Sequence, residues 1–191
     1  MMVGNSAFNT VRLLALAAAM ACWAASGSAQ SSMPSDGLST SAEYIAGFVR
    51  HVRWKAEDQL PAWRVCVIGD LPHDQASAYA DRTVRGKPFT VSYLEADALL
   101  SDCQILDLTA VDIKSVKQVL LRIRKMPILT VGAGSGFCSS GGQICLHLGD
   151  DGSRSRQKFE VNLSTIKESA LEVSARLLTV GSVHAMSENA P

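Results

Sequence analysis

The chain has 191 residues, 47% of them hydrophobic, with 18 basic and 18 acidic side chains and a formal net charge of zero. That composition suits one globular domain and is too balanced for the basic footprint of a nucleic-acid binder or for a polybasic membrane patch. After the N-terminal apolar run, no stretch reaches the roughly 20 uncharged apolar residues of a membrane-spanning helix.

At the N-terminus, Arg12 precedes the apolar run Leu13 to Ala25, and the small residues Ser26, Gly27, Ser28 and Ala29 follow it. This is the pattern of a secretory signal peptide over residues 1–29, with cleavage after Ala29. Ala19-Met20-Ala21-Cys22 loosely resembles a lipoprotein processing box, which would acylate Cys22 and anchor the product, although the usual leucine three residues before the cysteine is missing. Residues 30–38 are rich in Ser, with Pro34 and Gly37, and read as a flexible leader. Residues 39–182 read as one α/β domain and 183–191 as a disordered tail.

Thr40 with Glu43 forms a capping-box pattern, and Tyr44, Ile45, Phe48, Val49 and Val52 recur at helical spacing, which predicts an amphipathic helix ending near Trp54. Arg64 to Ile68 reads as a buried strand closed by Gly69-Asp70, followed by a helix near Asp74 to Asp81. Phe89 to Leu94 and Gln104 to Leu108 read as strands, Ile113 to Arg124 as a crossover helix, and Ile128 to Val131 as a further strand after Pro127. Strands alternating with helices point to a mostly parallel sheet flanked by helices. The Gly/Ser-rich segment Gly132 to Gly142 reads as a loop. Gln143 to Leu148 and Lys158 to Val161 then form a C-terminal hairpin addition across Gly149-Asp150-Asp151-Gly152. Asn162 or Ser164 caps a final helical region that breaks near Leu171.

Cys66, Cys103, Cys138 and Cys145 lie downstream of the export signal, where an even number of cysteines reads as two disulfides. Four cysteines allow three pairings, and the sequence alone does not choose among them. Spacing favours a short loop closed by Cys138 and Cys145, with Cys66 and Cys103 facing each other from neighbouring strands. No Cys-x-x-Cys motif supports a catalytic redox site, and His51, His73, His147 and His184 are too scattered for a zinc site, so no cofactor or metal is expected.

Three other patterns have bland explanations. Gly132-Ala133-Gly134-Ser135-Gly136 follows a strand as a phosphate-cradling loop would, but no helix pattern opens after it and no P-loop lysine follows. Ser164-Thr165-Ile166-Lys167 fits Ser-x-x-Lys, yet the Ser-Asp-Asn and Lys-Thr-Gly elements of penicillin-binding enzymes are absent, and Ser164 suits a helix cap. The sequon Asn162-Leu163-Ser164 carries no assigned role.

In chain order, several segments resemble the YfiR family of periplasmic proteins from Ala42 to about Gly181. They are Phe48-Val49-Arg50-His51-Val52-Arg53-Trp54, Val65-Cys66-Val67-Ile68-Gly69, Arg85-Gly86-Lys87-Pro88, and Asp102-Cys103-Gln104-Ile105-Leu106. Further along come Pro127-Ile128-Leu129-Thr130-Val131, Gly141-Gly142-Gln143-Ile144, Lys158-Phe159-Glu160-Val161-Asn162-Leu163 and Ser174-Ala175-Arg176-Leu177-Leu178. Lys55 stands where the family usually has proline, a departure bearing on the loop after the first helix. The resemblance implies a compact α/β domain without catalysis of its own. It would bind the periplasmic region of an inner-membrane diguanylate cyclase, hold the cyclase inactive, and be sequestered by an OmpA-like outer-membrane lipoprotein. It further implies the pairings Cys66 with Cys103 and Cys138 with Cys145.

Arg50 and Trp54 on the first helix, and Glu160 and Lys167 beside the second disulfide loop and the final helix, are the candidate partner contacts, because loops on rigid scaffolds often carry recognition. Trp54 and Trp63 suit the core equally well. A homodimer is compatible with the same surfaces. The competing classes are a periplasmic small-ligand-binding module, which needs an apolar pocket with convergent polar groups, and a hydrolase, which needs a nucleophile beside a base.

Overall fold

The computed structural model describes residues 36–69, 75–80, 82–147 and 158–184, all within one compact unit that starts at Ser35. The signal peptide, Cys22, residues 30–35 of the leader, the turn at 149–152 and residues 185–191 lie outside the described residues.

In chain order the elements are α1 (Asp36–His51), β1 (Val52–Arg53), a 3-10 turn (Glu57–Gln59), β2 (Trp63–Gly69), α2 (Gln75–Tyr79), β3 (Thr83–Val84), β4 (Lys87–Leu94), β5 (Ile105–Ala110) and α3 (Ile113–Ile123). Then follow β6 (Leu129–Ala133), α4 (Ser135–Ser139), β7 (Ile144–His147), β8 (Lys158–Asn162), α5 (Leu163–Glu168), β9 (Glu172–Val173), α6 (Ala175–Val180) and β10 (Ser182–His184). The larger sheet runs β10-β8-β7-β6-β5-β2-β4-β3. Its centre, from β4 through β2, β5 and β6 to β7, is parallel, and β8 returns antiparallel against β7 as the expected hairpin.

Side chains alternate across the sheet and make two cores. Trp63, Val65, Val67, Ile105, Leu129, Val131, Ile144 and Leu146 meet Ile45, Phe48 and Val49 of α1 on one face. Cys66, Ile68, Leu106, Leu108 and Cys145 meet Val116, Val119, Leu120 and Ile123 of α3 on the other. Strands buried on both faces read as the continuous apolar runs seen in the sequence.

Several boundaries differ from the sequence reading. The first helix begins at Asp36, so Thr40 lies inside it and residues 36–38 belong to the helix rather than to a leader. It ends at His51, because Val52 and Arg53 pair antiparallel with Val173 and Glu172 instead of continuing toward Trp54. That pairing also explains the break near Leu171: α5 and α6 are separated by β9. Residues 183 and 184, assigned to the tail, form the end of β10, parallel to β8 with His184 opposite Asn162.

The glycine-rich segment is a further correction, because it contains α4 rather than a loop throughout. Phe137 of α4 is buried, and its ring lies so close to the backbone of Gly132 and Gly142 that a Cβ at either position would overlap it. These glycines make room for a phenyl ring, and Gly141, at φ +97°, turns the chain back toward β7. Beside them, Cys138 and Cys145 are bonded with Cα atoms 5.8 Å apart, and Cys66 and Cys103 are bonded at the same Cα separation from the adjacent strand edges. Both bridges lie in the α3 core.

Candidate partner-binding cleft

The β1–β9 ribbon does more than end α1. Ser174 N donates to His51 O at 2.9 Å, fixing the start of α6 beside the last turn of α1. Between α1, α6 and β8 a cleft of about 450 Å³ opens. Its apolar floor is Phe48, Phe159 and Leu177, with the Phe48 and Phe159 rings edge to face at 4.9 Å. The Phe159 ring in turn lies against Gly181, where a side chain would overlap it. At the rim stand Arg50 and His51 of α1, Arg176 of α6 and the apolar Val180, which is 65% exposed.

His51 Nδ1 and Ser174 Oγ share a hydrogen bond of 3.1 Å. Burial, then the Arg176 and Arg50 guanidiniums, hold the His51 pKa below its ordinary value of 6.5, so the imidazole is neutral at neutral pH. Two positive groups therefore converge on a neutral ring with no carboxylate among the causes of its shift.

Only Arg50 among the sequence-derived contacts lies in this cleft. Trp54 belongs to the core: it is buried, its ring meets Trp63 at 5.0 Å, and its indole N–H donates to Pro127 O at 2.8 Å. Glu160 points to the opposite sheet face from Phe159 and pairs with His147 at 3.1 Å. Lys167 is exposed on α5. The structure does not gather these four residues into one surface. His51, Arg176 and Val180 were not read as partner contacts in the sequence: His51 adjoins Arg50 on α1, but Arg176 and Val180 belong to α6, which the ribbon between β1 and β9 brings beside it.

A second, smaller cavity of about 280 Å³ lies between Trp54, Lys55, Leu60, Met126 and Pro127, and touches Cys103. Lys55 opens onto this hollow.

The segments that carried the sequence resemblance turn out to be structural fasteners. Arg85 spans from the β3–β4 turn to the end of α1. It donates to Val49 O and Val52 O and grips Glu57, with Nη2 to Oε2 at 2.9 Å, while its guanidinium lies 4.8 Å over the Trp63 ring. Gln143 is buried and accepts from Thr130 N at 3.0 Å while donating to Ser169 Oγ at 2.9 Å. Asn162, also buried, donates to Cys138 O at 3.2 Å and caps α5 by accepting from Thr165 N. Ser164 Oγ donates to Asn162 Oδ1 at 2.7 Å, so it serves the cap. The side chain of the sequon asparagine is enclosed by these bonds.

Comparison with known proteins now fixes the family. The model of YfiR/HmsC-like proteins matches residues 39–182. The chain belongs to the YfiR/HmsC-like family. Among solved structures, a conserved domain protein from Vibrio cholerae O1 biovar El Tor shares the fold at a TM-score of 0.52 and 8% identity. The match covers 76% of this chain and 59% of that one, so it spans less than two thirds of that protein's length. YfiR/HmsC-like proteins are periplasmic, and the two disulfides of this member fit an oxidising compartment. Among the described residues no group of His, Cys, Asp or Glu is placed to hold a metal ion.

Proposed function

We propose that this chain represses a membrane diguanylate cyclase by binding the periplasmic sensor region of that enzyme, lowering cyclic di-GMP and biofilm formation. The supporting observation is the family match over residues 39–182, joined by a body stapled through both disulfides that offers a rigid surface. Repression is then a binding equilibrium: a regulator that prefers the inactive cyclase shifts it only by its differential affinity for the two states, and moving the ratio from 1:99 to 99:1 takes about 5.5 kcal/mol. An OmpA-like outer-membrane lipoprotein would relieve repression by competing for the regulator. Reduction of the bridges would lower the population able to bind and so couple output to periplasmic redox state. Deleting the gene in its host, with the cyclase expressed, raises cyclic di-GMP under this reading; an unchanged level contradicts it.

The cleft volume favours a second reading, a small-ligand-binding module, because 450 Å³ falls within the range of about 300–1,000 Å³ for small-molecule sites. Heat-capacity changes on binding of low-molecular-weight periplasmic extract, followed by mass spectrometry of the retained compound, test that reading.

A further inference from the structure

We infer that the α1–α6 cleft is the docking groove for an acidic, apolar-flanked segment of the cyclase's periplasmic region, an inference that rests on the repressor reading and names the surface and the chemistry of its partner. Arg50 and Arg176 stand exposed on opposite walls of the groove. Among the described residues neither guanidinium has an acidic partner, whereas Arg53, Arg64, Arg85 and Arg124 are in ion pairs, and Arg82 and Arg122 donate to backbone carbonyls. Two unpaired guanidiniums facing one gap suit bidentate capture of a carboxylate. Neutral His51, held by Ser174, adds no third positive charge at neutral pH and offers a ring face beside them.

The apolar part of the surface points the same way. Val180 is 65% exposed at the rim above Phe159 and Leu177, so an occupant bearing an apolar side chain next to its carboxylate would cover it. A small molecule needs enclosure over most of its surface. Here the charges and Val180 lie on the open rim, which fits a segment laid across the groove. Glu43, the one acidic group lining the groove, lies seven residues before Arg50 on α1, about 10 Å along the helix at 1.5 Å per residue. The groove is therefore positive at one end and negative at the other, and a segment with an acidic residue followed at that distance by a basic one would dock in a single direction.

The test uses full-length protein in the native host, with cyclic di-GMP level and co-purification with the membrane cyclase as readouts. The double variant Arg50→Glu/Arg176→Glu is compared with the gene deletion and with Lys117→Glu/Lys125→Glu, which reverses the same number of charges on or beside α3 across the sheet. The groove variant is expected to derepress the cyclase as the deletion does and to co-purify at least about tenfold less cyclase, with its thermal midpoint unchanged, while the α3 variant represses like wild type. If deletion raises cyclic di-GMP but the groove variant still represses, the groove is not the docking site. If both double variants fail alike, bulk charge and not the groove is responsible, and the inference falls. Loss of a dimer in the groove variant by native mass spectrometry would assign the groove to a second copy instead. Deletion without effect would overturn the repressor reading itself.

Discussion

At the scale of single residues, Phe137 is held by what its neighbours lack. Its ring occupies the space above Gly132 and Gly142, so Gly132→Ala or Gly142→Ala forces the ring, α4 and the Cys138–Cys145 bridge to move together. Overpacking of this kind costs about 1–3 kcal/mol, and denaturant unfolding with both bridges intact is expected to show that loss, with Gly47→Ala, which meets nothing within 4 Å, showing none. Asp107 poses a different problem. It is a buried acid at the sheet's α1 face that accepts from Thr109 N, Thr109 Oγ1 and Ser41 Oγ. Burial nonetheless pushes its carboxyl above the ordinary value of 3.8. The folded state then keeps this proton to higher pH than the unfolded chain, so its contribution to stability falls as pH rises from 3.8 through the raised folded value and is level beyond. Asp107→Asn removes that fall. His51, with its lowered pKa, acts in the opposite sense below 6.5 and is common to both proteins, so the difference between wild-type and variant thermal midpoints from acid to neutral pH isolates Asp107.

At the scale of elements, the parts written in local pattern were legible. The β2, β5 and β6 runs are apolar because both faces are covered, α3 shows its buried face at Val116, Val119, Leu120 and Ile123, and Asp112 caps it by accepting from Lys114 N and Ser115 N. What the sequence hid depends on distant partners: α1 stops at His51 because Val173 pairs with Val52, and β10 exists because β8 lies beside it. The disulfide pairing was legible only as the favoured choice of three, since the proximity of β2 and the start of β5 decides it. Gln143, read as the start of a strand, and Asn162, read as a helix cap, are in addition buried amides that tie β6, β7 and α5 around the second bridge. The α1 wall of the cleft was legible as a helix, but the cleft itself was not, because the α6 wall arrives through that ribbon. Arg85 is the element-scale fastener most open to test. Arg85→Ala leaves Glu57 with only the longer Arg53 contact at 3.4 Å and uncovers Trp63, and is expected to lower unfolding free energy by about 2–3 kcal/mol. Arg85→Lys restores charge but not the fork across two carbonyls, so it should recover less than half of that loss.

At the scale of the whole molecule, two staples and two cores make a body that can act by contact. By the loop-entropy relation, the bridge closing 37 residues contributes roughly 4 kcal/mol and the one closing 7 roughly 2–3 kcal/mol. Cys66→Ser/Cys103→Ser is therefore expected to lower the denaturation midpoint more than Cys138→Ser/Cys145→Ser, whereas the second pair, next to Phe137 and Asn162, should disturb the hairpin and α5 locally, as read by hydrogen exchange. If the second pair were without effect on stability and repression under reductant, redox tuning through it would be excluded.

The central claim, repression by direct contact, is tested most directly by cyclase turnover. Membrane vesicles carrying the cyclase, with its sensor region facing the added protein and GTP supplied inside, are assayed for cyclic di-GMP synthesis as the oxidised, mature chain is titrated. Synthesis falling to a saturable minimum is the expected result. Unchanged synthesis at saturating protein, with the chain folded and both bridges intact, would contradict it.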